Sequence, residues 1–254
     1  MNFFRLFFDK LFNSKEHKNA GSKGERLTYM ELTGFFSGIF DKEEVLRNVY
    51  IKKRDEKFTE IDLLVVTRKG VIVIESKNYA GNIEGNGGQQ YWTQTLPNGM
   101  INKFYNPLWQ NKGHMRAISE YLEDAGFEGI HYHSFIVFSD RCEFKALENI
   151  TDDVHIIKRS EIAASVAKLF KAHKDCMTKD VRDDVLKNLS QMSRPNEEII
   201  NQHISDVKEL IHKKTTTCPL CRNQLKEHTN RKNGVAFYGC TSYPKCKYTA
   251  KKKL

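Results

Sequence analysis

Apolar and polar positions along the chain change period several times, and each change marks an element. The run VLRNVYI from Val45 reads as a strand. Residues 60–67 and 71–78 are two apolar runs joined through Arg68-Lys69-Gly70, the pattern of a β-hairpin. Upstream, GSKGERLTYMELTGFF carries Leu27, Met30 and Phe35 at helical spacing and predicts a helix, with Ser22 and Glu25 spaced as a capping box. Residues 81–105 are rich in Gly, Asn and Gln, include Trp92, and read as a long functional loop. After Asn106-Pro107, LWQNKGHMRAISEYLEDAG predicts a helix ending at Gly126. HSFIVFSD predicts a buried strand, VHIIK another, and SEIAASVAKLF a capped helix. From Lys171 to Lys214 the sequence is charged and helical in period, with a break at Pro195. Beyond that break Ile199, Ile200, His203, Ile204, Val207, Leu210 and Ile211 share one face. The expected organisation is an amphipathic segment 1–19, an α/β domain 20–170, a helical connector 171–214 and a small cysteine module 215–254.

The hairpin EIDLLVVTRKGVIVIESKNYAG raises a chemical question, because its apolar strands tolerate Asp62, Glu75 and Lys77. Side chains alternate along a strand, so Glu75 and Lys77 project from one face. With a two-residue loop at Arg68-Lys69, Asp62 falls opposite Glu75; a three-residue loop using Gly70 shifts the register by one. In both registers the three charges cluster at the open end. Two neighbouring carboxylates repel, and a divalent cation relieves that repulsion; hard oxygen ligands suit Mg²⁺. A lysine beside them can hold a hydroxide or neutralise charge developing on a phosphate. The set therefore fits phosphodiester cleavage, against the alternative of an edge hairpin with a surface Glu–Lys pair.

Charge is unevenly distributed. The net charge is +9, yet residues 211–254 hold eleven Lys or Arg against Glu227 alone, so the rest of the chain is close to neutral. A basic terminal segment on a neutral body points to a polyanion partner, nucleic acid or an anionic membrane. Four of the six cysteines, Cys218, Cys221, Cys240 and Cys246, follow C-x₂-C-x₁₈-C-x₅-C. This is the pattern of a closed, structural Zn²⁺ site, and thiol ligands fit a reducing, cytoplasmic setting. Such a short module builds little core, so the metal would supply most of its folding energy.

With those residues in view, the chain resembles the nuclease-related domain, NERD, a branch of the PD-(D/E)xK restriction-endonuclease-like superfamily. The resemblance rests on GSKGE, on EIDLLVVTRKGVIVIESKNYAG, on Trp92 and on NPLWQ, over roughly residues 20–125. It implies an α/β fold with a restriction-endonuclease-like mixed sheet flanked by helices, and a Mg²⁺-dependent hydrolase acting on DNA. Asp62 and Glu75 would hold the metal, with the Ser76 carbonyl as a third ligand, and Lys77 would be the catalytic lysine. Glu25 would be a helix carboxylate facing the site, and Gln110 a polar residue of the following helix. Ile61 precedes Asp62 where the superfamily often has proline. Trp92 is expected to pack rather than react.

The cysteine module resembles the four-cysteine zinc ribbon of bacterial type I topoisomerases, through CPLC and FYGCTSYPKC. That resemblance implies a partner in single-stranded or frayed DNA. Phe237, Tyr238, Tyr243 and Tyr248 would stack on bases, and Arg231, Lys232, Lys245, Lys247 and Lys251–Lys253 would follow phosphates. The competing structural reading places Phe237 or Tyr243 in the ribbon's small core. Two other functions stay open: a catalytically inactive DNA-binding adaptor, and a membrane-associated regulator held by Phe3, Phe4, Phe7, Phe8, Leu11 and Phe12. No apolar run approaches the ~18 residues needed to span a bilayer. His131, His133, Cys142 and Cys176 are read as structural.

Overall fold

The computed structural model describes residues 15–36, 45–193, 195–230 and 233–251. The Phe-rich N-terminal segment therefore lies outside the described residues, as do Arg231, Lys232, Lys252 and Lys253. The chain divides into two compact units, Asn19–His203 and a second that holds Ile204–Leu254.

The larger unit is built on a five-stranded mixed sheet in the order β1-β2-β3-β7-β9. Its strands are β1 Val45–Lys52, β2 Phe58–Thr67, β3 Gly70–Lys77, β7 Tyr132–Phe138 and β9 Val154–Lys158. β2 runs antiparallel to both β1 and β3, and β3, β7 and β9 are parallel. β3 and β7 are covered on both faces, which is why GVIVIESK and YHSFIVF read as near-continuous apolar runs.

One face of this sheet meets α2 Pro107–Asp124 and α4 Lys179–Met192. Ile61, Leu64, Val66, Val71 and Val73 pack there with Ala117, Ile118, Leu122, Val185 and Leu189. The segment after Lys171, expected as a connector, thus sends α4 into this core. The other face meets α1 Lys15–Phe36 and α3 Ile162–Ala172, where Leu32, Ile162, Val166 and Leu169 cover Leu63, Val65, Ile72, Ile74 and Phe135. A further helix, α5 Glu197–Thr216, follows Pro195.

Two expectations need correction. The first described helix spans Lys15–Phe36, so Ser22 lies inside it and is no N-cap. KEHKNA is a competent helix-forming stretch, and it carries the helix back past the serine. Gly24 in that helix is required for close approach, since a Cβ there would come within 2.6 Å of Asn78 Cβ. The second correction concerns residues 81–105, which form strands rather than a loop. β4 Gly81–Asn86, β5 Tyr91–Thr95 and β6 Ile101–Tyr105 join β8 Cys142–Glu148 in a four-stranded sheet ordered β6-β5-β4-β8. Its inward positions Ile83, Trp92 and Phe104 are buried. Trp92 stacks on Phe138, with centroids 6.4 Å apart, and donates its indole N–H to the Asn86 carbonyl. Trp92 is a packing residue, as expected.

The smaller unit carries a three-stranded antiparallel sheet of β10 Leu225–Thr229, β11 Ala236–Cys240 and β12 Thr249–Lys251. Among the described residues no helix is long and apolar enough to cross a membrane.

Candidate active site and cysteine cluster

The β2–β3 hairpin turns through two residues, because Thr67 pairs with Gly70 and Leu63 with Ile74. Continuing that register sets Asp62 opposite Glu75, the first of the two arrangements the sequence allows. On the other side of β2, the ladder with β1 runs through Arg47–Leu63 and Val49–Ile61 and skips Asn48, whose φ is +50°. The strand changes face across this break. Ile61 packs toward α2, whereas Leu63 packs toward α1 and α3. Asp62 sits at the change of phase, and its Oδ2 accepts the Ser76 amide at 2.8 Å.

Glu75 points to the α2 side and is 1% exposed. Its Oε1 accepts from Lys77 Nζ at 2.5 Å, and its Oε2 lies 3.1 Å from His114 Nε2. Lys77 also donates to Gln110 Oε1 at 3.0 Å. The imidazole is itself held, with Nδ1 2.9 Å from Thr59 Oγ1. Asn111 fixes α2 to the sheet by donating to the Val73 carbonyl and to Ser134 Oγ. At the start of α2, Asn106 accepts from the Leu108 amide and donates to the Gln89 carbonyl. These anchors seat Gln110 and His114, one turn apart, over the end of β3.

Glu25 reaches the same region from α1. Burial, then Glu60 and Glu75, disfavour its charge and raise its pKa, against Arg47 and Asn48, which favour the charge. Glu60 accepts from Asn48 Nδ2 at 3.0 Å. The cluster thus combines Glu25, Glu60, Asp62 and Glu75 with Lys77, His114, Gln110 and Arg47. Sequence reasoning brought together Asp62, Glu75, Lys77, Glu25 and Gln110, and the structure does place those five in one region. It missed Glu60 and His114. The signals for both were periodic: Glu60 precedes Asp62 by two on a strand, and His114 follows Gln110 by four on a helix.

The electrostatics of the two central carboxyls diverge. Burial, then the charges of Glu75 and Glu25, push Asp62 well above the usual carboxylate range. Burial pushes Glu75 the same way, but the Lys77 charge and the His114 hydrogen bond outweigh it and hold Glu75 below its ordinary value. Burial opposes the Lys77 charge, yet Glu75, Tyr79 and Asp62 raise its pKa above that of a free lysine. Lys77 is therefore a permanent cation at neutral pH. The candidate ligand atoms facing one another are all hard oxygens except for His114, and the carboxyls outnumber the cations Lys77 and Arg47 beside them. Such a set fits a divalent cation. The carboxylates remain more open than a closed metal cage, for among the described residues only the four cysteines place three or more ligand atoms within 4.8 Å of one another.

In the smaller unit, Cys218, Cys221, Cys240 and Cys246 converge. Cys218 and Cys246 Sγ are 3.6 Å apart, and Cys221 and Cys240 Sγ 3.3 Å. These separations exclude disulfide bonds of about 2.05 Å. They lie near the ~3.8 Å edge of a tetrahedron with Zn–S of about 2.3 Å. The Asn223 amide pulls the Cys221 thiol down to about 6, and the Ser242 amide points at Cys240 Sγ. The cluster has the chemistry of a structural zinc site.

Around it, Tyr238 and Tyr248 pack against the cysteines. Phe237, on the opposite face of β11, stacks on His228 at 5.5 Å, and Tyr243 is 73% exposed. The core aromatics are thus Tyr238 and Tyr248, which corrects the expectation for Phe237 or Tyr243. Alternation along β11 explains it, since Tyr238 shares a face with Cys240 and Phe237 does not. Tyr243, Lys245 and Lys247 are open to solvent.

Comparison with known proteins agrees with this division. The nuclease-related domain family matches residues 20–139, and the topoisomerase DNA binding C4 zinc finger matches residues 215–254. An uncharacterised protein of Bacillus anthracis is 29% identical over 153 residues, which is 58% of this chain and 67% of that protein. No solved structure matches. Residues 20–139 are a nuclease-related domain of mixed α/β architecture, and residues 215–254 are a topoisomerase-type C4 zinc ribbon.

Proposed function

We propose that the chain is a Mg²⁺-dependent nuclease that hydrolyses DNA phosphodiesters in DNA processing or repair, with its zinc ribbon holding single-stranded or frayed DNA. The observation that carries this reading is the juxtaposition of Asp62, Glu75 and Lys77 at the open end of one hairpin, with Lys77 bonded to both Glu75 and Gln110. Asp62 and Glu75 would hold the cation, and Glu25 and Glu60 add to the negative field that favours it. When bound, Mg²⁺ supplies Lewis acidity toward a phosphoryl oxygen and a more acidic water.

The protein's own groups do the rest. Lys77 stays protonated because of Glu75, so its role is electrostatic: it neutralises charge growing on the phosphoryl oxygens. Gln110 limits the lysine's motion by accepting from Nζ. His114 holds the second oxygen of Glu75 and keeps that carboxylate oriented. Cys218, Cys221, Cys240 and Cys246 would bind Zn²⁺. Tyr243, Lys245 and Lys247 supply exposed stacking and phosphate contacts. Phe237 adds a half-buried ring stacked on His228, while Tyr238 and Tyr248 pack against the cysteines that position the strands.

A second reading, a DNA-binding adaptor without cleavage, draws on one feature: both Glu75 oxygens already have protein partners. The test is cleavage of single-stranded, duplex and forked DNA with Mg²⁺, Mn²⁺ or chelator, by wild type and Glu75→Ala. Metal-dependent cleavage lost in Glu75→Ala is the expected result. Cleavage retained by purified Glu75→Ala rules out the site. Binding without any cleavage by wild type selects the adaptor.

A further inference from the structure

The outer face of the four-stranded sheet carries a row of aromatic side chains, Tyr91 and Tyr105 half-buried and Trp109 exposed. Along β5 and β6 the inward residues are Trp92, Gln94 and Phe104, all buried. The alternate positions face out, and there Tyr91 pairs with Tyr105 and Thr93 with Lys103. The Tyr91 and Tyr105 rings meet edge to face, 6.4 Å between centroids and 77° between planes. Tyr105 meets Trp109 the same way, at 6.3 Å and 76°. Trp109 is 40% exposed although it is among the largest apolar side chains. It is not loose, for its indole N–H donates to the Gly87 carbonyl at 2.9 Å.

The row has a direction and a charge. Trp109 immediately precedes Gln110, the residue bonded to Lys77. Lys103 lies two residues before Tyr105 on the same strand face, and Lys112 one helical turn after Trp109; both are exposed. Glu84 is also exposed on this face, across Thr93 from Lys103, so the cations lie on the β6 and α2 side of the row. Aromatic rings beside cations suit a strand with unpaired bases and a phosphate backbone. A duplex presents phosphates but no open base faces.

We propose that Tyr91, Tyr105 and Trp109, flanked by Lys103 and Lys112, form a base-stacking track that leads single-stranded nucleic acid to the Lys77 site. The direction of the strand rests on the nuclease reading; the binding does not. This gives the nuclease-related domain its own contact with nucleic acid, separate from the ribbon.

The chain has two tryptophans, Trp92 and Trp109, and none in the ribbon. Trp92 is fully buried, so a change in indole fluorescence on binding reports on Trp109. The full-length protein, without added Mg²⁺, is titrated with fluorescently labelled oligothymidylate and with an abasic strand of equal length. Binding is followed in parallel by anisotropy of the label. Oligothymidylate should quench the indole, the abasic strand should not, and Trp109→Phe should abolish the quench. Trp109→Ala should weaken oligothymidylate binding about fivefold or more and leave abasic binding unchanged. Circular dichroism checks that each variant is folded, and Trp109→Phe keeps a ring for packing. Binding without quench, equal quench by the abasic strand, or no binding at all overturns the track. Quench in a protein that never cleaves leaves the track standing and removes the nuclease reading. Cleavage without quench does the reverse.

Discussion

His114→Ala is the most informative perturbation of the site, because the imidazole links an apolar-core strand to the candidate metal carboxylate. His114 is 5% exposed and Glu75 1%, so neither partner regains water when the ring is removed. Two contacts are lost, one to Glu75 Oε2 at 3.1 Å and one to Thr59 Oγ1 at 2.9 Å. A buried group left without its partner costs about 1–3 kcal/mol, and more when charged. Lys77 still holds the other Glu75 oxygen, which keeps the loss below that of a fully orphaned carboxylate. About 3 kcal/mol is therefore expected for the pair of contacts, a large part of the ~5–15 kcal/mol that stabilises a typical domain. Both tryptophans lie in the Asn19–His203 unit, so urea unfolding followed by their fluorescence reads that unit alone. His114→Gln keeps one donor and should recover part of the loss. The cycle with Glu75→Gln should show coupling of about 1 kcal/mol or more. A loss under about 1 kcal/mol, or additive single effects, would refute the linkage and leave His114 as filler.

Lys77→Ala should lower turnover by roughly 10²-fold with little change in the Mg²⁺ requirement, since its charge acts on the reacting phosphate; normal turnover with a much higher Mg²⁺ requirement would make it an assembly residue. Removing residues 215–254 should weaken binding to single strands and flatten its salt dependence, because fewer counterions are released. Cleavage at saturating DNA should persist, and zinc chelation should mimic the deletion. An unchanged salt slope in the truncated protein would make the ribbon a protein-contact module. Gly85→Ala should destabilise the larger unit by about 1–3 kcal/mol, because a Cβ there meets Trp92 Cδ2 at 2.2 Å and forces the indole off Phe138; thermal unfolding matching wild type would show that the second sheet yields freely.

What the sequence disclosed about this fold was what local rules govern. The five strands of the main sheet carry long apolar runs, and α2 has Asn106-Pro107 at its start and Gly126 just past its end, so each was legible. The register of the hairpin came down to two loop lengths, of which the two-residue one is present. The second sheet was hidden because its inward positions are few and scattered among Gly, Asn and Gln. Ile83, Trp92 and Phe104 become a core only when Phe138, from a strand more than thirty residues on, arrives to cover them. Ser22 misled for the opposite reason: its capping pattern was locally valid, but a helix already begun at Lys15 runs through it.

The candidate site shows the same boundary between local and distant information, with a consequence for its chemistry. Asp62, Glu75 and Lys77 belong to one hairpin and could be read together. Glu60 shares that hairpin, whereas Glu25 and His114 acquire meaning only from the packing of α1 and α2 around it. Burial, the hairpin's own charges and these distant groups together bias the two central carboxyls. Burial, Glu75 and Glu25 raise Asp62, while Lys77 and His114 outweigh burial and lower Glu75, so two carboxyls thirteen residues apart are driven in opposite directions. Environments that split neighbouring carboxyls in this way assign them different work. Glu75 is a fixed anion, already engaged. Asp62 is raised by burial and by the charges of Glu75 and Glu25, and in the proposed function a cation beside it would relieve that repulsion. In the folded state alone, a raised Asp62 loses stability as pH rises from its ordinary range through its elevated value, since the unfolded chain ionises first. Under the proposed function, a divalent cation held between these carboxyls would offset that cost, and added Mg²⁺ should raise the stability of the larger unit more above Asp62's elevated value than below it.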